Sequence, residues 1–84
     1  MLNKEEIQYN TNGLVSAWLN KYGKTTRLVI ELSNDESENE VECSESDCGN
    51  KIGELLFDNC EKYKKLTLFD ITDKKNFVGE IDIE

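Results

Sequence analysis

"TTRLVIELS", Thr25 to Ser33, is the stretch on which the fold turns. It is rich in β-branched residues, and Leu28, Ile30 and Leu32 alternate with Arg27, Val29 and Glu31. That pattern predicts a strand with one face set into a core. The next stretch, "NDESENEVECSESDCG" from Asn34 to Gly49, is almost purely anionic. Glu31, Asp35, Glu36, Glu38, Glu40, Glu42, Glu45 and Asp47 fill eight of the seventeen positions from 31 to 47, and no Lys or Arg stands between Arg27 and Lys51. Inside it, Glu38, Glu40 and Glu42 alternate with Asn39, Val41 and Cys43. A short edge strand fits, with carboxylates outward and Val41 and Cys43 inward. Asn34 to Ser37 reads as a turn and Ser44 to Gly49 as a loop.

Elements on either side complete the picture. "TNGLVSAWLNKYG" sets Leu14, Val15, Trp18, Leu19 and Tyr22 at helical offsets, with Asn12 as cap and Gly23 as stop. A strand turning at "KYGK" is the alternative for 12–22. "NKIGELLFDNCEKYKK" predicts a helix from Asn50, whose stripe is Ile52, Leu55, Leu56, Cys60 and Tyr63 and whose Lys62, Lys64 and Lys65 suit the C-terminal dipole. "LTLFDI" and "FVGEIDI" read as strands joined by the turn "TDKKN". The expected order is α-β-β-α-β-β. The fold class is α+β: one small domain over 1–84, with a three- to four-stranded, mostly antiparallel sheet and one or two helices packed on a face. Residues 33–49 form its acidic loop and edge strand.

Composition sets limits. Of 84 residues, 22 are Leu, Ile, Val or Phe, above the roughly 20% below which a charged chain stays disordered. A domain of this size still buries only about 60–65% of its unfolded surface, so a metal, a disulfide or a partner would add needed stability. The net charge of −8 repels phosphate backbones and anionic membranes and attracts basic proteins. Met1 to Ser16 carries Lys4, Glu5 and Glu6 where a signal peptide needs apolar residues. A cytoplasmic location with reduced thiols is therefore expected.

Catalysis finds little support. The chain has no histidine, which excludes Ser-His and Cys-His pairs and imidazole-ligated zinc. No glycine pattern cradles a phosphate. "DESENEVECSE" fails as a calcium loop, because Glu40 stands at the sixth position and Ser46 at the twelfth. A non-enzyme is expected. Cys43, Cys48 and Cys60 allow two readings: buried core thiols, or a structural zinc site of three thiolates with Asp47, Asp58 or water as fourth ligand. One helix from 48 to 60 would hold Cys48 and Cys60 roughly 18 Å apart. A shared zinc therefore requires Cys48 to fold back or the helix to start later. A disulfide is the weaker reading of an odd cysteine count.

The acidic run likewise allows a solvated loop or a binding surface. In the second case Asp35, Glu36, Glu38, Glu40, Glu42, Glu45 and Asp47 would carry the partner contact. With its anionic block Glu31 to Asp47 and its "LVIEL…NKIGELLFDNC…LTLFDI" body, the chain resembles the small acidic anti-CRISPR proteins of phages that inhibit Cas9 effectors of type II-A systems. That resemblance lies in size and charge character. It implies a protein that binds a basic surface of a Cas9-like effector, blocks guide or target DNA loading, touches no nucleic acid itself and works in the host cytoplasm. Some members of that class bind metal, which adds weight to the zinc reading. The alternative is a small structural adaptor, zinc-stapled or not, whose acidic loop only keeps it soluble.

Overall fold

The computed structural model describes residues 2–56 and 62–84. Its elements run α1 (Lys4–Tyr22), β1 (Leu28–Ser33), β2 (Glu38–Cys43), a single 3-10 turn (Glu45–Asp47), α2 (Cys48–Leu56), β3 (Lys65–Asp70) and β4 (Asn76–Asp82). The α-β-β-α-β-β order and the α+β class hold. All strand pairs are antiparallel and lie in the order β2-β1-β3-β4. The acidic strand is thus an edge, as its pattern predicted.

α1 starts nine residues before the expected point. Asn3, not Asn12, is its cap: the Asn3 side chain accepts from the Glu6 backbone N–H at 2.8 Å, and the Glu6 carboxylate accepts from the Asn3 N–H at 3.3 Å. This reciprocal pair satisfies two donors that a helix start otherwise leaves open. The early turns hid because a polar residue occupies the buried stripe. Thr11 is fully buried among Ile7 and Val15 and donates its hydroxyl to the Ile7 carbonyl at 2.8 Å. Gly23 does end the helix, with φ at 86° and its N–H on the Leu19 carbonyl, a conformation that glycine adopts without strain.

The second helix also departs from expectation. It begins at Cys48, and Lys65 belongs to β3 rather than to a helical end. Sheet pairing wins over helical spacing here. The Lys64 N–H donates to the Ser33 carbonyl, and the Lys64 carbonyl accepts from the Ile83 N–H, both at 2.8 Å. Tyr63 is buried and accepts a hydrogen bond from the Asn39 side chain.

One face of the sheet makes the core. Leu28, Ile30 and Leu32 of β1 and Leu66 and Leu68 of β3 pack with Ile7, Val15, Ile52, Ile81 and Ile83. α1 lies over β4 and against α2, which sits beside β2. Gly79 makes the first of these contacts possible, since a Cβ there would stand 2.7 Å from a Leu14 methyl. Among the described residues no helix is long and apolar enough to cross a membrane.

Candidate functional site

Both helices pack on one side, so the other face of the sheet is left to its own side chains. Register fixes what stands there, because alternate residues of a strand share a face, and an irregularity in the β3–β4 register leaves Val78 unpaired and sets Phe77 opposite Phe69. Across the four strands one row reads Glu42, Val29, Phe69, Phe77. The next reads Glu40, Glu31, Thr67, Glu80, and the last Glu38, Ser33, Lys65, Asp82. Neighbouring strands are about 4.8 Å apart and successive rows about 6.7 Å. Six carboxylates therefore stand on this face: Glu31, Glu38, Glu40, Glu42, Glu80 and Asp82.

Some of that charge is answered locally. Arg27 places one guanidinium nitrogen 2.6 Å from each oxygen of Glu42, and Lys65 lies 3.6 Å from Glu80. Both pairs are solvent-exposed, so each contributes little stability. Among the described residues no ion pair holds Glu31, Glu38, Glu40 or Asp82. Glu31 and Glu40 also stand directly opposite one another on β1 and β2, a like-charge pairing that costs stability. The first row carries an apolar end instead. Phe77 is 57% exposed, its ring meets Phe69 edge-on at 6.2 Å, and the Lys75 ammonium sits 4.4 Å from the Phe69 ring centre.

The seven acidic residues singled out in sequence fall on three consecutive segments: the turn before β2, β2 itself and the 3-10 turn after it. Glu38, Glu40 and Glu42 point outward from β2 as expected. Asp35 and Glu36 sit in the turn at one end of that strand, where the Asn34 side chain accepts from the Glu36 and Ser37 N–H groups at 2.8 Å. Asp35 is occupied there by Lys64 at 2.7 Å. Glu45 and Asp47 lie at the other end, in the 3-10 turn. A six-residue strand, about 20 Å long, separates the two groups. Sequence reasoning did not place Glu80 and Asp82 at the site. Their alternation with Ile81 and Ile83 carried the signal, but only the β3–β4 register brings them onto the same face.

The cysteines divide as well. Cys43 is inward and buried, as its alternation predicted, and Cys48 joins it in the core. The neighbouring Cys48 thiol holds the Cys43 pKa below its ordinary value, and Cys43, together with burial, pushes that of Cys48 up. Cys60 and Asp58 lie outside the described residues. Among the described residues no three Cys, Asp or Glu side chains gather closely enough to hold a metal.

Family models, characterised proteins and solved structures yield no match to this chain. The acidic sheet face has to be read from its own chemistry.

Proposed function

We propose that this chain is a non-catalytic inhibitor that lays its acidic sheet face on a basic, nucleic-acid-gripping surface of a Cas9-like effector and blocks guide or target DNA loading. The observation that carries the reading is the helix-free face itself, with Glu31, Glu38, Glu40 and Asp82 in no ion pair among the described residues. Charge laid out on a rigid sheet keeps its spacing when a partner arrives, whereas charge on a loop must first be ordered. Effectors of this class hold their RNA–DNA heteroduplex in a positively charged channel and read the adjacent motif with paired arginines. An anionic domain is steered toward such groups and competes with nucleic acid for them. The exposed Phe77, beside Phe69, gives that face an apolar anchor at one corner, a residue type enriched at protein interfaces.

The test is a gel shift and a cleavage assay of guide-loaded effector on its target DNA, with the protein added before or after the guide. Inhibition that weakens as salt rises is expected, because the attraction is electrostatic. Unchanged DNA binding and cleavage at both orders of addition would sink the proposal. The adaptor reading draws on a different observation: Arg27, Lys65 and Lys64 already neutralise part of the acidic surface within the chain. Under it, a pull-down from cells recovers a partner whose binding does not change when the sheet-face glutamates are neutralised.

A further inference from the structure

The sheet edge away from the acidic strand has a different character. β4 is paired by β3 on one side only. The Leu2 N–H donates to the Ile83 carbonyl just past the end of β4, at 2.7 Å, and no other backbone segment among the described residues bonds to its outer margin. α1 packs on this strand with Leu14 against Gly79. Next to that contact, a groove of about 450 Å³ lies between Trp18, Lys21 and Tyr22 of α1 and Asn76, Phe77 and Val78 of β4. A free strand edge beside a groove whose far wall is a helix suits an extended peptide that adds as one more strand. Its backbone bonds the edge, and its alternate side chains enter the groove.

The groove wall is aromatic, exposed and held in shape. Tyr22 and Phe77 are 54% and 57% exposed. The Trp18 indole N–H is fixed on Asp70 at 2.6 Å, and the Tyr22 ring centre lies 4.1 Å from that of Trp18. A wall already in place costs a ligand less ordering. Charge then selects the occupant. Lys21 lines the groove, and Lys24 and Lys74 line a second cavity that shares Trp18, Tyr22 and Asn76 with it. None of these three lysines is in an ion pair among the described residues. Of the two carboxylates there, Asp70 is already held by Trp18, Thr25 and Thr72, which leaves Asp73 against three ammonium groups. The chain is anionic as a whole, but exposed charges are screened beyond about 8 Å at physiological salt, so this corner acts on its own sign. Glu80 and Asp82 lie further along the same strand and turn an acidic end away from that half. We propose that the β4 edge and this groove dock an extended peptide of a partner protein, with alternating aromatic or branched residues and Asp or Glu at the end beside Lys24 and Lys74.

The experiment follows the amide NMR signals of the isotope-labelled full chain during titration with a synthetic peptide of two aspartates followed by alternating phenylalanine and threonine. The expected result is that Trp18, Lys21, Tyr22 and residues 76–79 shift together. A peptide N-methylated at alternate backbone nitrogens should bind at least tenfold more weakly, because strand addition needs those donors. A peptide with lysines for the aspartates should also bind more weakly. Lys21→Gln with Lys24→Gln should weaken the aspartate peptide about fivefold and narrow that difference. No shift at millimolar peptide, equal affinity for the N-methylated form, or shifts confined to the acidic face would each overturn the proposal. So would a thymidine oligonucleotide that moves the same amides more strongly, or shifts that grow with protein concentration in the absence of peptide, which would assign the groove to nucleic acid or to a second copy. If the glutamine variant fails to fold, the N-methylated peptide on the unsubstituted chain decides. No effector is present in the assay, so its outcome is separate from that of the inhibitor reading.

Discussion

Replacing Asp70 with alanine is expected to lower the unfolding free energy by about 3 kcal/mol or more. Asp70 ends β3 on the core side of the sheet and is only 4% exposed. One of its oxygens accepts from the Trp18 indole N–H at 2.6 Å and from the Thr25 hydroxyl at 2.8 Å. The other accepts from the Thr72 backbone N–H at 2.7 Å. One carboxylate thus ties α1, the approach to β1 and the β3–β4 turn together. Truncation strands three donors, two of them where water reaches poorly, and such donors cost more unmet than they contribute when paired. Burial pushes the Asp70 pKa up, but the hydrogen bonds from Thr72, Thr25 and Trp18 outweigh it and hold the carboxyl below its ordinary 3.8. A depressed folded value means that the contribution is complete above the unfolded value and fades as the pH falls through the folded one. Thermal melts of dilute protein from pH 7 to pH 2 should show an acid-labile component that Asp70→Asn lacks. An alanine variant as stable as the parent at pH 7 would show that the carboxylate does not join these elements.

Neutralising the opposed pair, Glu31→Gln with Glu40→Gln, should move stability and binding in opposite directions. The two residues face each other across β1 and β2. Amides in their place remove a like-charge contact while keeping shape, which should raise stability by a few tenths of a kcal/mol. The same change takes two negative charges from the middle row of the proposed binding face. Affinity for a basic partner should fall roughly tenfold or more, about 1.4 kcal/mol, and its salt dependence should flatten. Urea unfolding measures the first effect, and titration of the effector at two salt concentrations the second. A variant that is more stable and binds as well as the parent would show that the charge on this face is not used for recognition.

Much of the architecture could be read from the chain because short-range patterns govern it. The alternation of Leu28, Ile30 and Leu32, and of the glutamates against Val41 and Cys43, reports strands whose two faces meet different surroundings. The errors fall where a distant partner decides. Thr11 is the local exception: it looks polar but fills a core position, since its hydroxyl finds a carbonyl one turn back. Tyr63 fits a helical stripe and Lys65 a helix C-terminus, yet the Ser33 and Ile83 backbones draw that segment into the sheet. The candidate site follows the same rule. The carboxylates of β2 were visible as a run, whereas Glu80 and Asp82 join them only through strand register. Register depends on which strand lies next to which, and no local pattern states that.

The strand order carries a practical consequence for handling the protein. It places β2 at one open edge of the sheet and β4 at the other. Glu38, Glu40 and Glu42 line the first, and Glu80 and Asp82 the second. Unpaired strand edges invite other chains to add on, and like charge along both margins keeps two copies apart at neutral pH. That protection lasts only while the carboxylates are ionised. Near the isoelectric point of about 4.5 it lapses, and edge-to-edge stacking becomes the route to precipitation, so purification and storage belong well above that pH.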